Sequence, residues 1–231
     1  MTTAQHGSRF FPPAEQACEE GLLMIGGHLS VDWLTDAYRH GIFPWPVFED
    51  ENLLAWWSPD PRAIIPLDGL HVSRRLRRVV RSGKFQVTSN RDFAAVVEAC
   101  ATVDDRRDNT WITRAMKDAF CEYYRAGFGH SVEVWCDGQL AGGVYGVAIG
   151  GLFAGESMFH YETDASKVAL VHLVAHLNRR GYRLFDIQQL TAHSARMGAI
   201  EIPRTRYLQQ LSEAVDLPVS FGEVPGTIDM R

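Results

Sequence analysis

The sequence has 231 residues, of which 46% are hydrophobic and 11% aromatic, enough apolar material for one large domain or two small ones. A formal net charge of −5 argues against a protein whose whole surface binds nucleic acid or an anionic membrane. The four cysteines lie far apart without a Cys-x-x-Cys pair, so neither a zinc site nor a disulfide framework is indicated.

Targeting and cofactor signals are few. The N-terminus lacks a basic segment followed by an apolar run, so we expect no secretory signal. Cysteines scattered singly are typical of a reducing compartment, which predicts a cytoplasmic protein. No Gly-x-Gly-x-x-Gly opens a helix after a strand, and no Walker-type loop is present. His172 and His193 are isolated, and we interpret both as structural.

The first part of the chain predicts a small domain. Ser30 is a helix N-cap, and the helix that follows carries its apolar residues on one face and ends at a glycine. Proline and tryptophan crowd residues 43–46 and 56–62, and proline blocks regular structure, so we predict irregular backbone there. We expect the small domain to comprise residues 1–62 and a larger domain to comprise 63–231.

The larger domain begins with short strands and helices in alternation. A strand is predicted at 63–66, a helix at 74–82, a strand at 85–88, and helices at 91–102 and 114–125.

From residue 131 the pattern changes to consecutive strands. Strands at 131–135, 140–149 and 152–159 are separated by glycine-containing turns, and a helix at 165–180 and a strand at 182–188 follow. This order is typical of acyl-CoA N-acetyltransferase-like (GNAT-like) domains, so we predict an α/β (α+β) fold with a GNAT-like C-terminal domain. Any other mixed α/β sandwich is also compatible with the periodicity.

The predicted helix 74–82 is strongly basic, and no acidic residue occurs from position 69 to position 91. A local electropositive stripe on an acidic protein is typical of phosphate binding. The alternative is a solvated helix face, although such faces normally mix charges of both signs. The basic residues of this stretch are Arg74, Arg75, Arg77, Arg78, Arg81 and Lys84.

Tryptophans form a second candidate group, at positions 45, 56, 57 and 111. Aromatic side chains near a basic groove can stack on unpaired bases, although tryptophan more often packs in a core. Trp45 lies between two prolines and is the clearest candidate for an exposed role.

Two carboxylates and an amide form the third group. Glu156 interrupts an otherwise uncharged apolar stretch, and Asp186 and Gln188 lie near the end of the next predicted strand. Acyl transfer to an amine needs a group that accepts the proton of the amine and donors that steady the carbonyl oxygen. The alternative is that Glu156 pairs with a buried arginine and Asp186 caps a turn.

Seven short strings of residues carry a family resemblance. They are Gly-Ile-Phe-Pro-Trp (41–45), Trp-Trp-Ser-Pro-Asp-Pro-Arg (56–62), Thr-Trp-Ile-Thr (110–113), His-Ser-Val-Glu-Val-Trp (130–135), Gly-Glu-Ser-Met-Phe (155–159), Asp-Ala-Ser-Lys-Val-Ala-Leu (164–170) and Glu-Ile-Pro-Arg (201–204). In this order and spacing they resemble the bacterial leucyl/phenylalanyl-tRNA–protein transferases, over about residues 20 to 211.

The resemblance implies an activity and a fold. Enzymes of this family move Leu or Phe, and Met less well, from aminoacyl-tRNA to the α-amine of proteins that begin with Arg or Lys. The product is marked for N-degron proteolysis. A small N-terminal domain with a GNAT-like domain is implied, with no metal or organic cofactor, and we expect a monomer. The open alternatives are a non-catalytic tRNA-binding module and another GNAT-like acyltransferase.

The resemblance also implies residue roles. Asp186 and Gln188 match a catalytic Asp-x-Gln pair, in which Asp186 polarises Gln188 and Gln188 draws a proton from the attacking amine. Glu156 matches the acidic residue that holds the free α-amino group, and the basic helix matches the region that grips the acceptor stem. The implied substrate-binding residues are Trp45 and Trp111 near the terminal adenosine, Val144, Met158 and Leu170 around the apolar side chain, and Ser157.

This chain departs from the family pattern at a few positions. Ile187 replaces a common cysteine, His28 replaces a common acidic residue, and Val144 stands where a methionine can occur. The last change can alter the preference among Leu, Phe and Met. None of the three removes a proposed catalytic group.

Overall fold

The computed structural model describes residues 7–47, 50–103 and 110–228. Within them, a small three-stranded antiparallel sheet precedes a seven-stranded mixed sheet. The predicted α/β class is therefore confirmed. No helix of the described residues is long and apolar enough to span a bilayer.

The small sheet and its helix arise from local signals. The helix begins after Ser30, whose hydroxyl accepts a hydrogen bond from the main-chain N–H of Trp33 at 3.4 Å. Its buried face carries Leu34, Ala37 and Tyr38. The elements of this part are β1 (Leu22–Ile25), α1 (Val31–Arg39), β2 (Phe43–Val47) and β3 (Asp50–Trp57).

The prediction of irregular backbone around the proline and tryptophan residues is confirmed for residues 58–61 and wrong for the remaining positions. Residues 43–46 form most of β2, and residues 56 and 57 end β3. Pro44 and Pro46 are tolerated because β2 lies at an edge of its sheet, where a missing N–H need not break a ladder.

The large sheet has the strand order β10-β4-β9-β8-β7-β6-β5. Among the strand pairs that the described residues form in it, β8 with β9 is parallel and the others are antiparallel. The parallel pair is joined by helix α5, as a parallel connection requires. Its elements are β4 (Arg62–Ile64), α2 (Arg74–Arg81), β5 (Gln86–Ser89), α3 (Phe93–Thr102), α4 (Arg114–Arg125), β6 (Gly129–Cys136), β7 (Gln139–Ile149), β8 (Leu152–His160), α5 (Ala165–Arg180), β9 (Leu184–Gln188), α6 (Ala192–Arg196), β10 (Ile200–Ile202) and α7 (Arg204–Ala214).

The large sheet separates two hydrophobic cores. Neighbouring residues of β7 show the division, because Tyr145 belongs to the core that also holds α1, α3, α4 and α7, while Val144 belongs to the core under α2 and α5. Helix α5 approaches β7 closely at Gly142, where an added Cβ would lie 2.7 Å from the Cβ of Ala165. A glycine is therefore required there by packing.

Candidate active site

A cavity of about 290 Å³ opens between β8, β9 and α5. Every catalytic and substrate-binding residue implied by the sequence lines it except Asp186 and Trp111. Those that line it are Trp45, Val144, Glu156, Ser157, Met158, Leu170 and Gln188, together with Ile65, Phe185, Ile187 and His193, to which the sequence assigned no role in the site.

One side of this cavity is an apolar slot. Val144 and Met158 are paired across β7 and β8, and Leu170 reaches them from α5. Phe185 and Ile65 extend the same surface. Burying a charged group against these apolar side chains costs free energy, so the slot favours an aliphatic or aromatic side chain over a charged one.

A β-bulge in β8 sets the position of Glu156. Tyr145 and Gly146 of β7 pair with Ser157 and Gly155 of β8, so Glu156, which lies between those two, has no partner on β7. An extra residue in one strand reverses the alternation of side chains beyond it and turns the bulged residue out of the ladder. The acidic side chain therefore reaches the cavity without interrupting an apolar face.

Glu156 carries a partly buried carboxyl group whose pKa is displaced toward neutral pH. Burial raises the pKa of Glu156 to about 8; Tyr38 and Arg62 act to lower it, and Asp186 acts to raise it. The side-chain amide of Gln188 donates to Oε1 of Glu156 through Nε2 at 3.2 Å. A carboxyl group that titrates in this range can both accept and return a proton.

Gln188 ends β9 in a left-handed conformation, with φ of +58°. For a residue with a side chain this costs about 1–3 kcal/mol, and such strain persists only where neighbours hold it in place. The main-chain N–H of Gln188 donates to Oδ1 of Asp186 at 2.9 Å. Asp186 therefore contacts the main chain of Gln188. The family resemblance instead implies that Asp186 polarises the side chain of Gln188.

Asp186 lies beneath the cavity in a fully buried network. Nε of Arg62 donates to Oδ1 at 2.9 Å, Nη2 donates to Oδ2 at 2.7 Å, and the hydroxyl of Tyr207 donates to Oδ2 at 2.8 Å. Arg62 also donates to the carbonyl oxygen of Gly41 at 3.0 Å and so ties the turn between α1 and β2 to the site. Burial is the largest single effect and works against the charge of Arg62, but Asp186, Tyr207 and Glu156 together outweigh it, so the pKa of Arg62 is raised.

The sequence assigned no role to this support. Arg62 lies within one of the family strings, but the 124 residues that separate it from Asp186 give no local signal of the pair. Tyr38 lies on α1 with a buried hydroxyl next to Glu156, and hydrogen bonding from this hydroxyl acts to lower the pKa of Glu156. His193, interpreted as structural, lines the cavity.

Two tryptophans stack at the cavity mouth. The rings of Trp45 and Trp111 are 4.4 Å apart and inclined by 15°. Trp45 lines the cavity, and Trp111 lies behind it against the core. A half-buried indole supported in this way offers a preformed surface for a planar ring.

The basic helix α2 lies on the same side of the large sheet as α5 and the cavity, and its arginines are exposed. Two of the predicted tRNA-binding cations are engaged by carboxylates from elsewhere in the chain. Arg75 holds Asp164 through two hydrogen bonds of 2.6 Å, and Lys84 bonds Glu162 at 3.0 Å. The exposed guanidinium groups that remain for a ligand include those of Arg74, Arg77 and Arg78.

The described residues contain no cluster of three or more His, Cys, Asp or Glu side chains arranged to hold a metal ion.

Comparison with protein families matches both parts of the chain. The family described as leucyl/phenylalanyl-tRNA protein transferase matches residues 64–212, and the N-terminal domain of that family matches residues 27–60. Among individual proteins, the leucyl/phenylalanyl-tRNA–protein transferase of Azotobacter vinelandii is 49% identical over 220 residues, which is 94% of this chain and 96% of the relative. That of Solidesulfovibrio magneticus is 50% identical over 205 residues, which is 88% of this chain and 82% of the relative.

Solved structures are more distant. L-PGS from Bacillus licheniformis matches 68% of this chain and 65% of its own length, with a TM-score of 0.42 and 9% identity. A ribosomal-protein-alanine N-acetyltransferase from Brucella melitensis matches 57% of this chain and 93% of its own, with a TM-score of 0.34 and 13% identity.

Proposed function

The chain belongs to the leucyl/phenylalanyl-tRNA–protein transferase family, and we propose that it moves Leu or Phe, and Met less well, from aminoacyl-tRNA to the α-amine of proteins that begin with Arg or Lys. The product would then carry an N-terminal residue that marks it for proteolysis. The observation that carries the proposal is the apolar cavity with Glu156 and Gln188 at its wall. Family membership argues against both alternatives, a non-catalytic tRNA-binding module and another GNAT-like acyltransferase.

The donor side chain occupies the apolar slot of Val144, Met158 and Leu170 in this proposal. Such a slot separates Leu and Phe from polar residues but distinguishes one methylene by only about 1–3 kcal/mol. Because this free-energy difference is small, the enzyme is expected to accept more than one apolar amino acid. The terminal adenosine lies against Trp45, which Trp111 supports from behind.

The transfer itself requires positioning and one proton acceptor. The acceptor amine attacks the ester carbonyl, the C–N bond forms, and the C–O bond to the tRNA ribose breaks. We assign the proton of the amine to Glu156, because a carboxyl group with a pKa of about 8 is matched to neutral pH and an amide oxygen is too weak a base to keep a proton. Gln188 orients the amine, and Asp186 holds the main chain of Gln188 in place.

The remaining assignments rest on charge and composition. The exposed arginines of α2 contact the phosphates of the acceptor stem, and no metal or organic cofactor takes part. None of the four cysteines forms a disulfide in the part of the chain that the structure describes, as is usual in a reducing compartment, and we place the protein in the cytoplasm as a monomer.

The first prediction is the transfer itself. tRNA charged with labelled leucine is incubated with the enzyme and two acceptors that differ only in beginning with Arg or with Met. Label is expected on the Arg acceptor alone. Label on both acceptors would overturn the acceptor rule, and label released as free leucine without reaching either would identify a hydrolase at the same site.

A second prediction concerns α2. Arg77→Gln and Arg78→Gln are each expected to weaken binding of any elongator tRNA to a similar degree and to reduce the slope of log Kd against log salt by about 1. The matched control is Arg125→Gln, an exposed arginine at the end of α4 on the opposite face of the sheet. A salt slope that is unchanged in both α2 variants would contradict phosphate contact by this helix.

A further inference from the structure

A second cavity of about 330 Å³ lies beside the apolar cavity, and His193 lines both. It is enclosed by the start of α2, the first turn of α5 and the end of α6. Its lining is His71, Ser73, Arg75, Leu76, Lys167, His193, Arg196 and Met197, which includes five basic side chains and no acidic one.

This second cavity, called the basic cleft below, carries a net positive charge. Arg75 and Lys167 both contact the carboxylate of Asp164, which is nearly buried behind them. Arg75, Lys167 and Arg196 contribute three positive charges, and the carboxylate of Asp164 offsets one of them, so two positive charges remain. The first turns of α2 and α5, which supply Arg75 and Lys167, add the positive ends of two helix dipoles.

Two side chains at the wall have no internal partner. The buried Nε2 of His193 makes no hydrogen bond among the described residues, and Arg196 takes part in none of the ion pairs that the described residues form. Burial lowers the pKa of His193, and the charges of Lys167 and Arg196 lower it further. An anion in the cleft would satisfy these groups, since charge-assisted hydrogen bonds to phosphate oxygens are the strong ones.

Building on the proposed function, we infer that this basic cleft binds the phosphodiester that links the terminal adenosine of the donor tRNA to the preceding nucleotide. The ester on the 3′ side of that ribose lies in the apolar cavity, and the phosphate on its 5′ side lies across His193. The ester and the phosphate of one nucleotide thus occupy the apolar cavity and the basic cleft, and His193 lines both. This phosphate is present in every charged tRNA, so the contact is independent of tRNA sequence.

The test compares two minimal donors, the leucyl ester of adenosine and the leucyl ester of cytidylyl-adenosine, which adds one phosphodiester and a cytidine. The wild-type enzyme is expected to use the dinucleotide donor about tenfold better in kcat/KM, the value of one charge-assisted contact. Arg196→Gln is expected to remove most of that advantage and to leave transfer from leucyl-adenosine unchanged. Arg125→Gln, outside the cleft, is expected to keep the full advantage.

An equilibrium readout separates binding from a structural effect. The pKa of His193, followed by NMR, is expected to rise when unacylated cytidylyl-adenosine binds and to remain unchanged with adenosine, because only the former brings a negative charge. Equal loss on both donors in Arg196→Gln, or no advantage of the dinucleotide in the wild type, would overturn the inference. If leucyl-tRNA itself gave no product on an Arg acceptor, the proposed function would fail instead, whereas the NMR result would stand independently.

Discussion

Glu156→Gln is expected to lower kcat for leucine transfer by about 100- to 10,000-fold, the usual contribution of a positioned acid or base. The substitution keeps the shape of the side chain and removes its ability to accept a proton. Binding of leucyl-tRNA should change little, because the apolar slot and the arginines of α2 are untouched. The measurement is single-turnover transfer to an Arg-starting acceptor with tRNA affinity determined in parallel.

The pH profile provides the sharper comparison for Glu156. Two groups must lose a proton before transfer: Glu156, with a pKa of about 8, and the acceptor α-amine, which ionises at about 8 in peptides. Below pH 7 the plot of log kcat/KM against pH is therefore expected to have a slope near 2 in the wild type. In Glu156→Gln the slope falls to about 1. An identical slope in both enzymes would exclude Glu156 as the proton acceptor.

The ionisation of Glu156 should also make the free energy of unfolding depend on pH. The pKa of Glu156 is raised in the folded state, so the folded protein holds its proton more tightly than the unfolded chain. The free energy of unfolding therefore falls as pH rises from about 5 to about 8, by on the order of 3–5 kcal/mol relative to Glu156→Gln. Urea unfolding of both proteins across this range measures the difference.

Features specified by neighbouring residues were predictable from the sequence. The caps Ser30, Ser73 and Thr113 each accept a main-chain N–H at the start of a helix. The Asp137-Gly138 turn joins β6 to β7 as its residue types indicate. These signals need only a few residues, so the pattern of strands around Glu156 could be predicted before the fold was known.

Features that depend on distant partners could not be predicted. The bulge at Glu156 is visible only in the register of β7 against β8, because alternation along one strand does not reveal an extra residue. The strand β2 forms because β3 is available to pair with it, which overrides the local preference of its prolines. The cleft beside His193 joins three segments far apart in sequence, so an isolated histidine gave no sign of its neighbours.

Arg62→Met is expected to destabilise the protein by about 3–5 kcal/mol, because it leaves the carboxylate of Asp186 buried without its counter-ion. Asp186 retains Tyr207 and the N–H of Gln188, which offset only part of that charge. Loss of Arg62 also releases the hydrogen bond to Gly41 that ties the turn between α1 and β2 to the site. The measurement is the midpoint of urea unfolding at pH 7.

The matched control is Lys117→Met, which breaks an ion pair with Glu98 whose N–O distance, 2.7 Å, equals that of the buried pair but whose side chains are exposed by 28% and 56%. An exposed pair contributes about 1 kcal/mol or less, so this variant should unfold near the wild-type midpoint. Equal midpoints for Arg62→Met and Lys117→Met would contradict the assignment of the buried pair as a main support of the site.

The double variant Arg62→Met with Asp186→Leu separates stability from positioning. Replacing both members of a buried ion pair with apolar residues of suitable size is often nearly neutral, so most of the lost stability should return. Transfer should not return, because the main-chain N–H of Gln188 then has no carboxylate to hold its left-handed backbone in place. If the double variant regained wild-type kcat, Asp186 would contribute to stability only. The orientation of Gln188 would then have to come from Glu156 and the cavity wall.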